Sequence, residues 1–157
     1  MAFDHYSLCP CGTGKKIKFC CPELLGELEQ LDRLVEGDQT EAALEQVIRL
    51  LEKHPKKACL LATRTKLELA TKRFNDAAVT SRAFLEAYPD NPLALGHAAV
   101  AAALLDNMQE AASLFDRSRE LAGAEVPDDL VRIAMTLVQV AAQIGPVSYT
   151  HLRAHET

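Results

Sequence analysis

Between residues 23 and 144, apolar side chains recur at intervals of three and four, and turn-forming clusters interrupt them at regular places. Leu44, Val47, Ile48 and Leu51 mark one helical face, as do Leu60, Leu61 and Leu67. The interruptions are EGDQT, KHPKK, KRFND, YPDNP, LLDNM and VPDD. Pro55 and Pro89 lack the N–H that a continuing helix needs, and Asp128 can cap the helix that follows it, with Val126 beside it. The pattern predicts helices near 23–36, 40–53, 57–71, 75–87, 92–105 and 109–121, arranged as antiparallel pairs. A seventh, 128–144, is left without a partner.

The pattern also has a longer period. Ala42-Ala43-Leu44, Asp76-Ala77-Ala78 and Glu110-Ala111-Ala112 are spaced by 34 residues, as are Thr40, Phe74 and Met108. Pro55, Pro89 and Gly123 keep the interval, and so do Glu52, Glu86 and Glu120. Repeats of this length stack, each burying the face that its neighbour leaves open. The period resembles that of the tetratricopeptide (TPR) family. Ala43, Ala77 and Ala111 match that family's small residue on the second helix, Phe74 its aromatic, and Pro55 and Pro89 its terminal proline. Leu31, Thr65 and Ala99 stand where its first helix usually carries a small residue, so the first repeat reads as degenerate or capping. The resemblance implies an all-α, right-handed stack of about three and a half repeats: 24–57, 58–91, 92–125 and a partial 126–146. It also implies an inner face that binds protein segments. Asp32, Lys66 and His97 fall on that face among Leu28, Leu69 and Val100. Taken singly, these read as solvated or packed side chains, and His97 on its Ala-rich helix reads as a packed histidine.

Composition agrees with closely packed helices: 48% hydrophobic, 5% aromatic and no Trp. The net charge of −5 is uneven. Lys15, Lys16 and Lys18 against Asp4 give residues 1–22 a charge of +2; Arg153 and Glu156 cancel in 147–157, which leaves −7 for 23–146. A basic head thus precedes an acidic body, which argues against nucleic-acid binding by the body. No run approaches the roughly 18 apolar residues of a membrane span, and no apolar leader is visible. The expectation is a cytoplasmic protein, where clustered cysteines are metal ligands or catalytic thiols more often than disulfides. Gly145-Pro146 reads as a helix stop. The segment VSYTHLRAHET (147–157) after it lacks periodicity and resembles the in-frame translation of a transposase sequencing adapter. It is read as a non-native tail on a truncated chain, and the H-x₃-H pair His151 and His155 is discounted with it.

Four of the five cysteines fall in CPCGTGKKIKFCC, residues 9–21. A phosphate loop fails, because its first Gly would fall at Cys9 and Lys16 stands where a hydroxyl belongs. Redox chemistry is favoured by the nearby lysines, but the C-x-x-C spacing and a βαβ setting are missing. A structural zinc site fits best. Cys9 and Cys11 supply two sulfurs from one side of a turn and Cys20 and Cys21 two from the other. Gly12 and Gly14 permit the positive φ needed to fold back, Pro10 stiffens the first pair, and Pro22 ends the unit. Lys15, Lys16 and Lys18 would offset the −2 charge of four thiolates around Zn²⁺. Cys59 reads as a small buried residue, outside the ligand set.

These thirteen residues are similar to the SEC-C motif, C-x-C-x₈-C-[C/H], known from the C-terminal tail of the SecA translocation ATPase. Cys9, Cys11, Cys20 and Cys21 fall on its metal positions, and Gly12, Gly14, Lys15 and Lys16 on its core. Thr13 keeps the hydroxyl of the usual Ser, whereas Ile17 and Phe19 depart from the common Tyr and Lys. The resemblance implies a zinc-bearing recognition knob; the SecA tail meets the chaperone SecB, with ribosome and phospholipid contacts also ascribed to it. The leading expectation is therefore an adaptor, not an enzyme, with a zinc knuckle (1–22) and a helical stack (23–146) that holds a protein or peptide. An RNA- or ribosome-associated factor binding through the basic knuckle is one alternative, and a thiol-dependent redox protein is the other.

Overall fold

The structure, a computed structural model, describes residues 4–124 and 126–153, with side chains described as far as residue 143. Among the described residues it is all-helical, apart from one isolated antiparallel bridge between Leu8 and Lys16. A short helix α1 (Ile17–Cys20) and a 3₁₀ turn at Pro22–Leu24 lead into α2 (Leu25–Glu36). There follow α3 (Thr40–Lys53), α4 (Ala58–Ala70), α5 (Phe74–Ala87), α6 (Pro92–Leu104), α7 (Met108–Ala122) and α8 (Asp128–Arg153). Each helix from α2 to α6 packs against its successor, α7 packs on α6, and α8 returns to α6.

The backbone repeats at the interval seen in the sequence. Asp38, Lys72 and Asp106, 34 residues apart, carry φ of 56, 60 and 61°. At each, the next amide turns back onto the preceding helix: Gln39 donates to Leu34 O, Arg73 to Glu68 O and Asn107 to Ala102 O, at 2.8, 2.8 and 2.9 Å. One left-handed residue therefore ends α2, α4 and α6 alike. Ala43, Ala77 and Ala111 are buried, as the close approach of paired helices requires. So are Leu31, Thr65 and Ala99; Thr65 satisfies its hydroxyl on Leu61 O at 2.9 Å.

Helix α6 is apolar on every side, which fits a helix covered all round. It touches α4, α5, α7 and α8. A β-carbon on Gly96 would lie 3.0 Å from Ile133 and 3.1 Å from Leu130, so the missing side chain lets α8 settle on α6. The outer face of α8, with Val131, Met135 and Val138, is exposed.

One expectation is corrected. Helix α8 does not stop at Gly145-Pro146 but runs on to Arg153. The fixed φ of proline is itself helical, and within a helix its missing N–H costs one bond, to the carbonyl of Ala142. His151 lies on this helix, and His155 lies outside the described residues.

His97 is buried beneath α8, and neither ring nitrogen finds a hydrogen-bond partner among the described residues. Burial, with Lys66 of α4 adding to it and Asp129 of α8 opposing it, lowers its pKa to about 3. The imidazole is neutral at pH 7. The unfolded chain takes up a proton near pH 6.5 that the folded chain refuses, so stability falls as pH drops below 6.5 and levels only near 3. Between pH 7.5 and 5, the wild type should lose about 2 kcal/mol that His97→Leu keeps. Urea titrations at the two pH values check this; equal losses in both proteins would refute it.

Candidate metal centre

The head of the chain folds as a tight hairpin. The Cys9 amide donates to Lys15 O at 2.8 Å and the Ile17 amide to Ser7 O at 3.0 Å, closing the loop that carries Cys9 and Cys11. Gly12 and Gly14 adopt φ of 80° and 71°, which make the reversal within it. Helix α1 then brings Cys20 and Cys21 back beside the first pair.

The thiols of Cys9, Cys20 and Cys21 lie within 4.8 Å of one another. Cys9 Sγ is 3.5 Å from Cys21 Sγ, and Cys11 Sγ is 3.2 Å from Cys20 Sγ. A tetrahedron with metal–sulfur bonds of about 2.3 Å separates its sulfurs by about 3.8 Å. Cys9, Cys20 and Cys21 are thus close enough together to hold a metal ion, whereas Cys11, the fourth expected ligand, meets Cys20 but stands outside the group of three. Cys9, Cys11 and Cys21 are buried and Cys20 is partly so.

Hydrogen bonds between the thiols set their acidities. Bonds to Cys11, then Cys59 and Cys9, hold the Cys21 thiol well below its ordinary range. Bonds to Cys11, Cys21 and Cys59, with burial, raise Cys9. Cys21 pushes Cys11 up to about 11, with burial adding to the effect.

Three residues outside the four-cysteine pattern belong to the centre. The Thr13 hydroxyl lies 3.1 Å from Cys11 Sγ and 3.4 Å from Cys20 Sγ, so it touches two of the sulfurs. Asn91 caps α6, accepting from the amides of Leu93 and Ala94, while its Nδ2 donates to the Cys11 carbonyl at 2.6 Å. Cys59, in the first turn of α4, is fully buried in the same apolar cluster as Cys9, Cys11 and Cys21. The expectation that Cys59 is buried is met, but it is buried against the cluster. A signal was present in the sequence: Leu25, Cys59 and Leu93 share the 34-residue register, and cysteine replaces leucine only there.

Lys16 and Lys18 hold their ammonium groups 5.4 and 4.9 Å from the centre of the Tyr6 ring, and Lys18 also donates to Tyr6 Oη at 3.1 Å. Lys57 is the cation whose field reaches Cys21 and Cys59, and it is ion-paired with Glu23. This pair ties the knuckle's exit to the start of α4.

The knuckle packs into the stack. Cys9, Cys11, Ile17 and Cys21 share one hydrophobic cluster with Leu28 and Leu31 of α2, Val47 of α3, Leu60 of α4 and Leu93 of α6. Beside it runs a groove of about 320 Å³, lined by Pro10 and Ile17 of the knuckle, by α2 and α4 residues, and by Arg132 of α8. Asp32 and Lys66, two of the three expected inner-face residues, line this groove, whereas His97 is buried under α8. Burial, with Glu36 nearby, raises the pKa of Asp32, and Lys66 pairs with Asp129 at 2.9 Å.

No known protein family, curated protein or solved structure matches the chain. Among the described residues, no helix is long and apolar enough to cross a membrane.

Proposed function

We propose that this chain is an adaptor in which a zinc knuckle of the SEC-C type, ligated by Cys9, Cys11, Cys20 and Cys21, completes a TPR-like stack that holds a protein segment. The groove carries the reading: Leu28, Leu31, Val35 and Leu67 offer apolar contact, while Asp32 and Arg132 provide charges of opposite sign. Such a lining suits an extended or helical segment that buries apolar side chains and orients by charge. The repeated left-handed residues and buried alanines support the TPR-like part. The spacing of the thiols supports the zinc part, since soft thiolates in a tetrahedral set favour that ion. Four thiolates leave zinc no open position, so the reading assigns the chain no catalysis.

A second reading, RNA binding, is favoured by the exposed Tyr6 and Phe19 beside Lys16 and Lys18. Affinity capture with the zinc-loaded chain, followed by protein and RNA sequencing, separates the two. A protein retained by the wild type and lost with Arg132→Glu supports the adaptor. RNA lost with salt and with Lys15→Ala/Lys16→Ala/Lys18→Ala, and no protein dependent on Arg132, supports the second reading against the first.

A further inference from the structure

The sulfurs of the hairpin meet as two pairs, and each pair crosses from one arm to the other. Cys9 Sγ is 3.5 Å from Cys21 Sγ, and Cys11 Sγ is 3.2 Å from Cys20 Sγ. Both contacts are shorter than the roughly 3.8 Å between the sulfurs of a zinc tetrahedron. Cys11 meets Cys20 yet stands outside the group of three, so two pairs describe the arrangement more closely than one set of four. The adjacent Cys20 and Cys21 cannot pair with each other readily. Their Cα atoms are about 3.8 Å apart, below the roughly 4.4 Å at which disulfides begin. Access differs between the pairs, since Cys9, Cys11 and Cys21 are buried and Cys20 is partly exposed.

We infer that the four cysteines form an oxidative modification site, at which a peroxide closes Cys11 onto Cys20 and Cys9 onto Cys21 as two disulfides. Pairing requires no metal; with zinc held as proposed above, it removes all four thiolates and frees the ion. Each contact must shorten to about 2.05 Å. The backbone already sets the arms face to face, through the Cys9 amide on Lys15 O and the Ile17 amide on Ser7 O. The oxidant enters at Cys20, the accessible sulfur. Cys20 Sγ attacks a peroxide oxygen, the O–O bond breaks, water leaves, and Cys20 carries a sulfenic acid. Cys11 Sγ then attacks Cys20 Sγ, the S–O bond breaks, and the hydroxyl leaves as a second water with the Cys11 proton. Two thiols and one peroxide thus become one disulfide and two waters, the pair giving two electrons to the peroxide. A second peroxide does the same at Cys9 and Cys21, more slowly because both are buried. From four zinc-bound thiolates, two peroxides and four protons are taken up, and two disulfides, four waters and Zn²⁺ result. Cys59, fully buried and in neither pair, stays a thiol.

Thiol counting and disulfide mapping by mass spectrometry test this on the full chain treated with hydrogen peroxide. At two equivalents the wild type is expected to lose four of its five thiols, keep Cys59 and gain no oxygen. Three double variants separate the pairings. Cys9→Ser/Cys21→Ser retains Cys11 with Cys20 and should close fastest. Cys11→Ser/Cys20→Ser retains Cys9 with Cys21 and should close more slowly. Cys9→Ser/Cys20→Ser leaves the mismatched Cys11 and Cys21 and should stay reduced over the same time. Mismatched closure at the rate of the matched pairs overturns the inference, as does sulfinic acid in place of disulfide in the wild type. Should circular dichroism show that the variants lose helix, the wild-type map decides alone, and bonds from Cys9 to Cys20 and Cys11 to Cys21 overturn the pairing. The zinc-loaded wild type should release its ion as the thiols are lost and rebind it after reduction. A chain that binds no zinc yet closes both pairs supports the pairing and removes the zinc reading, which keeps the two distinguishable.

Discussion

Stripping the metal from the zinc-loaded chain should lower its thermal midpoint by roughly 10–15 °C. A ligand present at about a thousand times its dissociation constant stabilises the form that binds it by about 4 kcal/mol. For a chain of this size, each kcal/mol moves the midpoint by about 2–4 °C. The effect should reach the helices because Cys9, Cys11 and Cys21 share their packing with α2, α4 and α6. A knuckle on a free tether would lose its own order and leave the melting of the stack unchanged. Cys21→Ser should reproduce most of the chelator's effect, since Cys21 is buried, its sulfur lies 3.5 Å from that of Cys9, and it belongs to the group of three close thiols. Calorimetry of the loaded and chelated protein checks both; a midpoint shift below about 2 °C would mean that the centre and stack are uncoupled.

Gly12→Ala should be nearly as damaging, and Gly14→Ala should not. Both glycines have positive φ, so an alanine at either costs about 1 kcal/mol in backbone strain. At Gly14 a β-carbon meets open space, whereas at Gly12 it would lie 2.6 Å from Asn91 Oδ1 and 3.0 Å from Leu93. Asn91 cannot step aside cheaply, because it caps α6 and holds the Cys11 carbonyl. Overpacking of that kind adds about 2 kcal/mol, giving about 3 kcal/mol for Gly12→Ala against about 1 for Gly14→Ala. Urea unfolding gives the two values. Equal costs would show that the hairpin does not press on α6.

Much of the helical framework was legible because its causes are local. Pro55, Pro89 and the polar clusters break the chain where the helices end, and the period of 34 reappears in the backbone at Asp38, Lys72 and Asp106. Gly145-Pro146 misled, since proline opposes a helix without forbidding one, and α8 passes through it. The hairpin's glycines were legible for the same local reason as the helices. What lay beyond reach depended on long-range packing. Nothing near Asn91 in the chain announces a bond to Cys11, 80 residues away. Cys59 needed the repeat register to be read as a comparison, Leu25 and Leu93 against a lone cysteine. Arg132 joins Asp32 and Lys66 in the groove because α8 folds back on α6, which the pattern along α8 alone does not state.

The cysteine hairpin and the helices share one hydrophobic cluster, so a metal centre and the stack should behave as one structural unit. Amide hydrogen exchange of the full chain, zinc-loaded against chelated, tests this most directly. Chelation should release protection in residues 4–22 and also in the first turns of α4 and α6, around Cys59 and Asn91. Release confined to residues 4–22, with both first turns unchanged, would contradict it.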